Sequence, residues 1–118
     1  MSTQATTLIE FQRSGGIAGR EDRVVVMSDG TAQLSRRGVA ADFRVAPDTL
    51  TELRALIERV DFRAMRDEYL PTRRGADLYE YVLTCKGRSI RTMDTAVPAE
   101  LQPLVQLLGG LANRTPTP

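Results

Sequence analysis

Phe11-Gln12-Arg13-Ser14-Gly15-Gly16-Ile17-Ala18-Gly19 is the stretch on which the reading of this chain turns. Ile9 and Phe11 alternate with Glu10 and Gln12, the period-two pattern of a half-buried strand. The strand then runs into glycines. Dinucleotide and phosphate loops need a helix directly after their glycines, because its free N–H groups hold the anion. Here Arg20-Glu21-Asp22-Arg23 leads instead into Val24-Val25-Val26-Met27, which is strand chemistry. A phosphate cradle is therefore excluded, and the glycines shape a strand-to-strand loop. Two roles fit that loop. Gly15, Gly16 and Gly19 supply the positive φ of a tight connection, or the backbone protrudes to dock on a partner, with Arg13 and Ser14 as polar contacts.

Working outward, Ser28-Asp29-Gly30-Thr31 separates two strand-like runs, and Asp-Gly marks a two-residue hairpin turn. That turn sets Val25 opposite Leu34 and Met27 opposite Ala32, with Val24 and Val26 on the other face. Arg36 to Ala46 reads as irregular, with Phe43-Arg44-Val45 able to pair briefly with the sheet. Pro47 suits the first helical position. Leu50, Leu53, Leu56, Ile57 and Val60 follow at helical spacing, and Asp61-Phe62 closes the helix. From Asp61 to Asp77 no period is sustained, and a structureless stretch of that length often carries function. Leu78 to Cys85 is a strand with Tyr79, Tyr81, Leu83 and Cys85 on one face. Lys86-Gly87 turns it back through Ser89 to Met93, which places Ile90 opposite Leu83. Pro98 opens a last helix with Leu101, Leu104, Leu107, Leu108 and Leu111 as its stripe, and Pro103 distorts its start. The expected fold is α+β: an antiparallel sheet of four or five strands with both helices on one face, in the order β-ββ-α-ββ-α. Residues 1–114 form one domain and 115–118 a disordered tail.

Composition narrows the function. A chain of 118 residues buries about two thirds of its unfolded surface without metals or disulfides. With 16 basic and 15 acidic residues interspersed along it, no basic face for nucleic acid or membrane is indicated. No apolar run is long enough for a bilayer span, and the first residues lack signal-peptide blocks, so a cytoplasmic protein is expected. Cys85 is the only cysteine, which leaves no internal disulfide. It reads as a small buried hydrophobe rather than a zinc ligand. The chain has no histidine. That removes the usual general base, the hydrolase dyads and the commonest zinc ligand. Its carboxylates form no paired motif, and Asp77 and Asp94 read as strand-end caps. No enzyme and no cofactor are expected.

The opening strand with Arg13-Ser14-Gly15-Gly16-Ile17-Ala18-Gly19 resembles the start of emfourin-type proteins, the inhibitors of protealysin. The likeness continues through the helix ending Val60-Asp61-Phe62, the variable loop, Asp77 opening a tyrosine-bearing strand, and the last helix beginning Pro98-Ala99-Glu100-Leu101. This chain carries the hairpin Val24 to Ser35 in addition. The resemblance implies inhibition of a thermolysin-like zinc metalloprotease, with loops covering the substrate cleft. Separately, a chain that is monomeric when free is expected. The candidate contacts are Arg13, Ser14, Gly15, Gly16 and Gly19 in the glycine loop, and Arg66, Tyr69, Arg73 and Arg74 in the long one. Arginine and tyrosine are the residue types enriched where proteins meet. The residues by themselves fit any small non-catalytic interaction domain equally well.

Overall fold

In a computed structural model, which describes residues 6–16, 19–71 and 78–113, the chain forms one seven-stranded sheet and two helices. The elements are β1 (Thr7–Gly15), β2 (Arg20–Met27), β3 (Thr31–Arg36), β4 (Val39–Arg44), α1 (Pro47–Arg59), β5 (Glu68–Tyr69), β6 (Tyr79–Cys85), β7 (Arg88–Met93) and α2 (Gln102–Ala112). Their order across the sheet is β4-β3-β2-β1-β6-β7-β5. Every pairing is antiparallel except β5 with β7. The α+β class holds. The strand number does not: seven replace the expected four or five, and the order is ββββ-α-βββ-α.

β1 lies at the centre, and its alternation sets the layers. Ile9 and Phe11 face inward with Val24 and Val26 of β2, Ala32 and Leu34 of β3, Leu83 and Cys85 of β6, and Ile90 of β7. Leu53 and Ile57 of α1 and Leu104, Leu108 and Leu111 of α2 complete that one core. The opposite face is wet: Arg23 pairs with Glu10 there at 2.6 Å, beside Gln12 and Gln33. A sheet with one covered face leaves exactly this inside–outside alternation on its strands.

Four differences from the sequence reading have physical causes. The β2–β3 turn holds three residues, not two. Gly30 takes φ 92° and donates to the Met27 carbonyl at 3.0 Å, while the Asp29 carboxylate accepts from the Thr31 amide at 2.9 Å. This is the turn-plus-left-handed-glycine hairpin, in which Asp29 needs no positive φ. The extra residue slides the register by one, so Val24 opposes Leu34 and Val26 opposes Ala32. Val24 and Val26 are thereby buried, and Val25 and Met27 look outward.

The stretch expected to be irregular is mostly β4. Arg37 (φ 49°) and Gly38 (φ 85°) make a two-residue turn, the same device as Lys86 (φ 52°) and Gly87 (φ 77°) between β6 and β7. The long connector also carries a strand. Glu68–Tyr69 pairs with β7 because Arg88 holds the chain down, donating to the carbonyls of Phe62 (3.1 Å) and Arg63 (3.0 Å) and pairing with Asp67. Finally, α2 starts at Gln102 rather than Pro98. A helix begun at Pro98 would place Pro103 where an N–H is required, whereas its observed first-turn position requires none. The expected tail at 115–118 lies outside the described residues.

Candidate functional site

The topology gathers the connections at one end of the sheet. β1 and β3 finish there, β2, β4 and β6 start there, and β7 and β5 both run toward it. The β1–β2 loop, the β3–β4 turn, the chain after Tyr69 and the chain after Met93 therefore share one rim. Ser14, Gly15, Gly16 and Gly19 occupy its centre. Tyr69 lies three strand spacings away, roughly 14 Å. A standard interface of about 800 Å² per partner is wide enough to cover both.

The glycine corner is braced, not loose. The Gly16 amide donates to the Leu78 carbonyl at 3.2 Å, and Gly19 donates back to Gly16 at 3.2 Å. Gly15 has φ 100°, and a Cβ there would sit 2.9 Å from the Leu78 carbonyl oxygen. Only glycine meets both conditions. Gly15→Ala is expected to cost about 1–3 kcal/mol, read as a lower urea midpoint with an unchanged denaturant slope.

Arg13 sits beneath this corner and points inward. It is 7 % exposed, and its guanidinium donates to Asp22 from Nη2 (2.7 Å) and Nε (3.1 Å) and to the Asn113 side chain at 2.9 Å. It also lies 5.6 Å from the centre of the Tyr79 ring. Arg36 completes the cluster, giving Asp22 a second charged partner at 2.8 Å and reaching the Ala112 carbonyl. Arg13 thus supports the rim from below, locking α2 to the strands.

The remaining candidates divide. Arg66 and Tyr69 line a concavity of about 320 Å³ with Glu68, Leu70 and Ala96 at the β5 edge. Tyr69 is held by a 2.9 Å bond from the Arg66 amide to its hydroxyl. Ser14 belongs to a separate concavity of about 480 Å³ on the outer face, with Gln12, Glu21, Arg23, Ser35 and Arg37. The sequence did not show that Glu21, Arg37 and Gly38 gather beside Ser14, nor that Arg37-Gly38 is a turn, although it is the same turn signal as Lys86-Gly87. Arg73, Arg74 and Asp77 fall outside the described residues. Asp94 caps a strand end as expected, accepting from the Tyr79 amide at 2.8 Å and from the Tyr81 hydroxyl.

No protein-family model matches the chain, and no curated protein matches it. The emfourin likeness therefore rests on the residues quoted above. Among the described residues no group of acidic or sulfur side chains is placed to hold a metal ion, and no helix is long and apolar enough to cross a membrane. Cys85 is buried and directs its thiol to the Leu8 carbonyl at 3.3 Å. Burial raises its pKa, the opposite of a reactive thiolate.

Burial, then the hydrogen bond to Asp94, raises the Tyr81 phenol above its ordinary value of 10.0. The folded protein keeps that proton where the unfolded chain has lost it. The stability this contributes is whole below about pH 10 and is lost as pH rises beyond it. Urea midpoints should fall between about pH 9 and pH 11, and Tyr81→Phe should make that fall shallower.

Proposed function

We propose that this chain is a protein inhibitor of a thermolysin-like zinc metalloprotease, blocking the substrate cleft with its braced rim. The observation that carries the reading is the convergence of four connections on one sheet end around a glycine corner hydrogen-bonded to the neighbouring strand. An inhibitor needs loops already in their bound shape, because ordering them on contact subtracts from affinity. Gly15 and Gly16 let the backbone come close to a partner without side chains intervening. Ser14 flanks that corner, and Arg66 and Tyr69 offer a second contact on the same rim. Arg13 contributes by positioning, from beneath.

The test is direct. The purified chain is titrated into thermolysin and protealysin while peptide cleavage is followed, and loss of activity near one-to-one stoichiometry is expected. Replacing Arg66, Tyr69, Arg73 and Arg74 together with alanine should weaken inhibition by about tenfold or more, the effect of losing one or two hot spots, with the circular dichroism spectrum retained. If excess protein leaves several such proteases untouched, the rim belongs to a non-catalytic interaction domain with another partner.

A further inference from the structure

The sheet has two edges, and they are guarded differently. β5 is two residues long and runs into Leu70-Pro71. β4 has six residues, contains no proline or lysine, and pairs with β3 through six consecutive positions without a register shift. Short strands, prolines, lysines and bulges are how sheets block edge-to-edge pairing. β4 has no proline, lysine or bulge, and its two charged residues, Asp42 and Arg44, stand on the wet face away from the apolar side chains of Val39, Ala41 and Phe43. The pair Arg36–Val39 closes a two-residue turn, so Val39, Ala41 and Phe43 aim their backbone groups at β3. Ala40, Asp42 and Arg44 therefore aim theirs outward. Val39 is 61 % exposed, the one exposed large hydrophobic among the described residues.

We propose that β4 pairs antiparallel with β4 of a second copy, joining the two sheets into one. The strand is its own complement in the register centred on Ala41, which pairs the most apolar surface. There Val39 lies opposite the partner's Phe43, Ala41 opposite the partner's Ala41, and Ala40 opposite the partner's Asp42. Apolar side chains meet on the core side, and the outward amides of Ala40 and Asp42 meet in hydrogen-bonded pairs. Sliding the register by two sets Asp42 against the partner's Asp42, a like-charge opposition. It also leaves Val39 without an opposite number, because β4 stops at Arg44 and the Val45 amide already donates to Gly30 at 2.9 Å. The two-fold axis makes the contact isologous and self-limiting, so it closes as a dimer and does not propagate. A single edge strand is a small interface, which places the association in the weak, concentration-dependent class.

Sedimentation of the full chain across a hundredfold concentration range tests this without reference to any protease. The weight-average sedimentation coefficient should rise toward the dimer value, and Val39→Lys should abolish the rise while the circular dichroism spectrum is kept. Ala41→Cys supplies a register-specific check, since a non-hydrogen-bonded pair on the axis brings the two Cβ atoms close enough for a disulfide. Under mild oxidation it should cross-link at least tenfold faster than Ala40→Cys, whose two copies do not face each other. A sedimentation coefficient flat with concentration overturns the proposal. So does self-association indifferent to Val39→Lys, or equal cross-linking by the two cysteine variants.

Discussion

Asp22→Ala is expected to lower the unfolding free energy by about 3–5 kcal/mol, the range for removing one partner of a buried ion pair. The Asp22 side chain is fully buried and holds two guanidinium groups, Arg13 at 2.7 Å and Arg36 at 2.8 Å. Arg13 is itself buried and cannot turn to water, so its charge would be stranded. Arg36 is partly exposed and recovers solvent more easily. The double variant Arg13→Met with Asp22→Ala should therefore lose less than Asp22→Ala alone, because no stranded charge remains. The two arginines also reach Asn113 and Ala112, at the C-terminal end of α2. That helix has no basic residue in its own last turn. The sheet supplies the positive charge that its carbonyl end attracts. Urea unfolding measures the cost, and hydrogen exchange should show the last turn of α2 losing protection first. Retained stability in Asp22→Ala would mean that Arg13 finds water after all.

Phe11→Ala should cost a similar amount, about 3–5 kcal/mol for truncating a buried phenylalanine. Phe11 is wholly buried in the central strand, between Val24 and Leu83, and stacks on Tyr81 at 5.7 Å. The consequence reaches the rim. Tyr81 lies 6.5 Å from Tyr79, and a Cβ on Gly16 would be 2.6 Å from the Tyr79 ring. Core, ring stack and glycine corner are thus one packed series. Phe11→Leu keeps much of the volume and should cost roughly half as much or less. If the rim inhibits a protease, Phe11→Ala should also weaken inhibition at temperatures where the chain remains folded. Loss of stability with unchanged inhibition would separate the rim from the core beneath it.

Local patterning was read correctly where the physics is local. The Lys86-Gly87 turn and the pairing of Leu83 with Ile90 depend only on neighbours in sequence, as does Pro47 opening α1. The β2–β3 register went astray by one residue because Asp-Gly serves two turn types. The Asp29 side chain, bonded to Thr31, selected the longer one. β5 was invisible for a different reason. Two residues carry no period, and their pairing exists only because Arg88, far along the chain, secures Phe62, Arg63 and Asp67. Arg13 shows the same limit at the candidate site. Beside glycines it reads as a surface contact, yet its alternation with Phe11 and Ile9 already places it on the buried face. The carboxylate that makes such burial tolerable, Asp22, arrives from the facing strand.

By itself the sequence determined the α+β class, the strand–glycine corner, the two helical stripes and the exclusion of histidine-based chemistry. Each of these is written in periods of two or 3.6 residues, in turn dipeptides, or in the residue inventory. Tertiary structure alone decided that β1 is central, that β4 and β5 form the edges, and that Arg13 faces inward onto Asp22. It alone brought four separate connections to one rim. Those outcomes depend on which distant strands pair, and pairing is settled by burying many side chains at once, a quantity that no short window of sequence contains.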